Sequence, residues 1–170
     1  MNSKRIRKMT QLTMLLAMGI ILHSLEPDIP VFLAARFRIG FANIIGIIVL
    51  ILYSKKEMFA INVVRVLLAS LMKGTFLSLT FWASLSGVLL STIVVIIVHQ
   101  LLKSSVTILS VVGALFHTIG QMAVIAFAYQ SVSILLLSPH LLIMSLAAGV
   151  GIGLIAENVL KHLKKAKLNI

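Results

Sequence analysis

The 170-residue chain has no cysteine, which excludes disulfides, thiolate metal sites and thiol nucleophiles. Charge is also scarce. Only 11% of the residues are charged, against about 25% in a soluble domain, so the chain cannot cover a soluble surface. There are four acidic residues, and Asp28 is the only aspartate. A magnesium-dependent diphosphate enzyme holds its metal between paired aspartates, and this chain cannot build that centre. A GxxxxGK(S/T) phosphate loop and a serine nucleophile elbow are missing as well. Neither autonomous catalysis nor ATP hydrolysis is expected, and no metal or other cofactor is required.

What the chain does have is apolar length. Hydrophobic residues make up 60% of it, enough for about six spans of some 20 residues each. The pattern predicts an all-α integral membrane protein, a single domain over 1–170, with transmembrane helices at about 9–25, 40–53, 59–72, 81–102, 106–129 and 134–160. Pro27 and Pro30 stop the first span. Residues 31–40 read as a loop or re-entrant piece, and Lys73-Gly74-Thr75-Phe76 breaks the chain after the third span. Ala17-Met18-Gly19 lies inside the first apolar run rather than after it, so this helix is expected to stay uncleaved.

The net charge of +11 follows the span boundaries and suggests no nucleic-acid partner. With the N-terminus inside, Lys4, Arg5, Arg7, Lys8, Lys55, Lys56, Lys103, Lys161, Lys164, Lys165 and Lys167 all fall in the cytoplasm. The positive-inside rule therefore places both termini there, in a bacterial plasma membrane. Arg36, Arg38 and Lys73 remain outside, and Arg65 lies within the third span.

Those remaining cations are the candidate site. Arg65 sits eight residues before Lys73, roughly 12 Å along a helix and on the same side. An arginine inside a membrane marks a functional site by default, and the bland alternative is pairing with a buried acid or carbonyl. Arg38, Asn43, Arg65, Lys73, His117 and Gln121 together can line a cavity for an anionic small molecule. On the ligand reading, Arg65→Leu should leave the bundle folded and abolish binding. The other histidines, including His23 and His140 near the outer surface, keep a haem alternative open. Small residues mark close helix packing: Gly149 and Gly153, the Ser84, Gly87 and Ser91 face, and the Thr13 and Ala17 pair.

Three separated motifs, RIGFANIIGI (Arg38 to Ile47), RVLLASLMKGTF (Arg65 to Phe76) and GALFHTIGQMAVI (Gly113 to Ile125), carry a family resemblance. Their order and spacing resemble the bacterial Gx transporter family, also called heptaprenyl diphosphate synthase component I, over about residues 9–160. That family is similar to the substrate-binding S components of energy-coupling factor transporters. The resemblance implies a six-helix S-component-like bundle that binds a vitamin-like ligand, such as a flavin, quinone or prenyl precursor, from the outer face. It also implies a transmembrane coupling subunit, docked here by Thr13 and Ala17, and cytoplasmic ATPases as partners. The alternative is a non-catalytic membrane accessory subunit of heptaprenyl diphosphate synthase beside a separate catalytic chain.

Overall fold

The computed structural model describes residues 3–26, 29–32, 35–37, 40–102, 104–131 and 138–165. The described residues form six helices, α1 (Ser3–Leu25), α2 (Asn43–Leu52), α3 (Lys55–Met72), α4 (Leu79–Leu102), α5 (Val106–Ala128) and α6 (Ser138–Lys165). Four of them are long and apolar enough to cross a membrane: Ser3–Leu25, Leu79–Leu102, Val106–Ala128 and Pro139–Leu163. Of the six spans expected, those at α2 and α3 fall short of that length or apolar composition. With 10 residues, α2 is only about 15 Å long, half a hydrocarbon core. α3 has 18 residues, but Lys55, Lys56, Glu57 and Arg65 interrupt its apolar character. The sixth helix begins at Ser138, and 132–137 lie outside the described residues.

The stretch expected as a loop or re-entrant piece forms an antiparallel hairpin of β1 (Ile29–Phe32) and β2 (Ala35–Phe37), with Ile29 opposite Phe37 and Pro30 opposite Arg36. It precedes the half-length α2, and β2 touches α4 and α5. Backbone that is not helical survives at membrane depth only where protein covers it or water reaches it.

Local chemistry sets the helix ends. Ser54 caps α3: its hydroxyl accepts from Lys56 N at 3.2 Å and donates to the Glu57 carboxylate. α3 ends in a Schellman turn, where Thr75 N reaches Ser70 O at 2.9 Å, Gly74 N reaches Leu71 O at 3.2 Å, and Gly74 takes a φ of +65°. This accounts for the KGTF break. Ser105 caps α5 by accepting from Ile108 N at 3.3 Å.

Two ties clamp α1 against α3. Lys8 Nζ stands 2.5 Å from Glu57 Oε1 at the start of both helices, and Lys73 Nζ donates to His23 O at 3.1 Å near their ends. The two helices therefore run parallel, with α2 returning beside them. Lys8 and Ser54 hold the Glu57 carboxyl down at about 2. A depressed carboxylate stabilises the fold above its unfolded value near 4.5 and loses that contribution as pH falls toward 2. Because Lys8 is 46% exposed, the pair contributes at most about 1 kcal/mol. Glu57→Gln should lower the thermal midpoint by a few degrees at pH 7, and the gap from the parent should close between pH 4.5 and 2. A gap that persists at pH 2 would argue against this ionic origin.

Helices α4, α5 and α6 pack through the small residues. A Cβ on Gly87 would lie 2.7 Å from His117 O, one on Gly149 2.8 Å from Val111 Cα, and one on Gly153 2.6 Å from Thr107 Cα. The GxxxG pair and the Gly87 face therefore serve internal packing. Large apolar side chains point outward instead, among them Met14 and Met18 on α1, Phe127 on α5 and Leu154 on α6. That is the surface of a protein solvated by lipid.

Candidate functional site

Arg65 is 1% exposed and is the largest fully buried side chain among the described residues. Its Nη1 donates to Ala42 O, and its Nη2 donates to Asn43 Oδ1 at 3.1 Å. Ala42 and Asn43 open α2, so the guanidinium holds the start of the half-helix at the depth Arg65 occupies in α3. Gly19 of α1 makes room for it; a Cβ there would lie 3.1 Å from Arg65 Cδ.

The negative partner is Glu26, just beyond α1. It is 5% exposed, and its carboxylate acts electrostatically on Arg65. Glu26 Oε1 also accepts from Gly40 N and from Phe41 N, the latter at 2.9 Å. Gly40 adopts a φ of +89°, and a Cβ there would press on Asn43 Nδ2 at 3.0 Å and His117 Cδ2 at 3.3 Å. Glycine is required at this position twice over, by backbone angle and by space.

The structure thus brings Asn43, Arg65 and His117 together around Gly40. His117 is 5% exposed, and Gln121, one turn further along α5, is 1% exposed. Lys73 goes elsewhere: it serves the carbonyl of His23, a cation at a helix C-terminus. Arg65 and Lys73 thus bond separate backbone carbonyls, Ala42 O and His23 O. Arg38 lies outside the described residues. Thr13 and Ala17 are both exposed on α1, and Thr13 donates to Met9 O at 3.0 Å. Of the two outer histidines, His23 is buried and His140 is exposed, so they do not share the common environment a haem pair needs.

Two residues escape a reading of the sequence. Asn62 is 3% exposed and bonds Thr92 Oγ1 at 2.8 Å. It lies one turn before Arg65 on the same face of α3, and that spacing is its only signal. Glu26 is legible as an acid near the outer side, but not as the acid that reaches Arg65.

Among the described residues, Asn43, Met58, Asn62, Ser91 and Gly113 help line an enclosed space of about 10 Å³. A pocket for a drug-sized ligand has about 300–1,000 Å³. The space between these particular side chains is far smaller than that.

A family model described as heptaprenyl diphosphate synthase component I matches residues 15–159. No curated protein and no solved structure matches the chain.

Proposed function

Because the chain belongs to the heptaprenyl diphosphate synthase component I family, we propose that it is a non-catalytic membrane accessory subunit of that synthase, working beside a separate catalytic chain. The family match over 15–159 carries this reading. The lone aspartate supports it, since metal-bound diphosphate chemistry must then sit on another protein. A heptaprenyl diphosphate pairs a long apolar tail with an anionic head, so a membrane-embedded partner gives its tail an apolar destination while the head stays at the interface. In this reading the long helices cross the membrane and both termini lie on the cytoplasmic side, where the basic segments can meet a soluble catalytic chain.

A second reading is an S-component-like subunit binding an anionic ligand. The convergence of Asn43, Arg65 and His117 favours it, with Gln121, Lys73 and Arg38 completing the set and Thr13 and Ala17 docking a coupling subunit.

Gentle-detergent purification of the tagged chain from its own cells separates the two. The accessory role predicts co-purification of a soluble aspartate-rich prenyltransferase, with several-fold more long-chain product in membranes that contain this subunit. Recovery of a membrane coupling protein with ATPases, and no prenyltransferase, would overturn it.

A further inference from the structure

The turn that precedes α2 has the construction of an anion receptor. Gly40, in the positive-φ region, and Phe41 aim consecutive amides at one oxygen. Backbone concavities of this kind bind anions. The turn leads into the amino end of a 10-residue helix, whose dipole adds positive potential. Arg65 contributes a full positive charge next to it and is 1% exposed. Its Nε has no hydrogen-bond partner, so the guanidinium retains unused donor capacity. The anion in place is the chain's own Glu26.

Glu26 sits just past the end of α1 at Leu25, its N–H still bonding Leu22 O at 3.0 Å. It brings one negative charge to a locus where Arg65 is fully charged and Lys73 binds the last turn of α1 at His23 O, 3.1 Å away. Arg65 therefore stands beside a single carboxylate with its Nε still unbonded. A phosphate group, with more acceptor oxygens and more charge, can serve the two amides and the guanidinium together better than a carboxylate does.

We propose that this receptor, formed by the Gly40 and Phe41 amides with Arg65, is a binding site for the phosphate group of an amphiphile, and that Glu26 is an internal competitor which the phosphate displaces. Glu26 keeps Arg65 compensated in the closed arrangement, and the phosphate takes over that role when it enters. The inference rests on reading the Arg65 cluster as a ligand site. It is measured on this chain alone, so failure to co-purify a catalytic chain would leave it standing.

The test compares the full-length protein with E26Q in nanodiscs. The side-chain amide oxygen introduced by E26Q can still accept from both backbone amides while the competing charge is gone. Because Arg65 then lacks its buried counter-charge, affinities are compared per folded protein, and E26D, which keeps the charge, is the second variant. Affinity is measured for inorganic pyrophosphate, for farnesyl diphosphate and for phosphatidylglycerol introduced into otherwise neutral discs. E26Q should bind at least one of them about tenfold or more tightly than the parent. E26D, with a shorter reach, should fall between the two. A gain with pyrophosphate or farnesyl diphosphate supports the proposal with a free diphosphate as the source. A gain with phosphatidylglycerol alone supports it with a lipid headgroup as the source. Equal or weaker binding in E26Q and E26D for all three probes, or no binding at all, overturns it.

Discussion

Arg65→Leu should strip about 3–5 kcal/mol from the stability of the bundle, a large share of the roughly 5–15 kcal/mol a folded protein holds. The expectation from sequence alone is an intact fold, and the geometry reverses it. Leucine at this position leaves the Ala42 carbonyl and Asn43 Oδ1 without their donor. It also leaves the Glu26 carboxylate, 5% exposed, without its buried counter-charge. Removing one partner from a buried ionic group costs more than the pair contributes, because the survivor stays desolvated. Arg65→Lys should cost less, since it keeps the charge but cannot serve two acceptors in a fork. Removing both charges, in Arg65→Met with Glu26→Gln, should recover part of the loss. Unfolding in mixed micelles, followed by Trp82 fluorescence, reads all four proteins. Parental stability in Arg65→Leu would mean the guanidinium is not the anchor of α2.

The second large effect is expected between α4 and α5. A Cβ on Gly120 would lie 2.8 Å from Gly87 Cα and 2.9 Å from Ser86 O, both backbone atoms that cannot turn aside. Alanine already forces the helices apart, at about 1–3 kcal/mol, and valine should exceed that range. His117 lies one turn before Gly120 and faces Gly87, so Gly120→Val should also displace a side of the Arg65 cluster. Gly151 is the matched control, because a Cβ there meets nothing within 4 Å. Gly151→Val should stay within about 0.5 kcal/mol of the parent. Equal midpoints for the two valine variants would rule out backbone contact as the reason for glycine at 120.

The long helices are legible because their signals are local. The apolar runs expected at 81–102 and 106–129 correspond to Leu79–Leu102 and Val106–Ala128, bounded by a glycine turn and a serine cap. The 40–53 run reads as a full span because apolar composition does not reveal a turn at Gly40 to Ala42 that shortens the helix to Asn43–Leu52. Arg65 stands out as a charge in an apolar run, but its partners cannot. Ala42 O is a backbone atom with no residue-type signature, and Glu26 meets Arg65 only after α1, α2 and α3 assemble. The polar face of α5 is visible at His117, Thr118 and Gln121, whereas its neighbour across the bundle, Gly40, is legible only as a flexible residue.

The shortness of α2 also bears on how the protein is made. A 10-residue helix is too brief to be released into lipid by the insertion machinery as an independent segment. α3 carries an arginine that strongly disfavours partition at mid-helix. Each is a poor passenger alone, and together they cancel each other's defect: Arg65 satisfies the start of α2, and the start of α2 gives Arg65 its acceptors. Tyr53 and Ser54 are all that separates them, so the two helices form one tight hairpin with Lys55 and Lys56 at its tip, suited to enter the bilayer as a unit. A chain in which Arg65 does not dock on the start of α2 would be left with an unsatisfied charge at membrane depth.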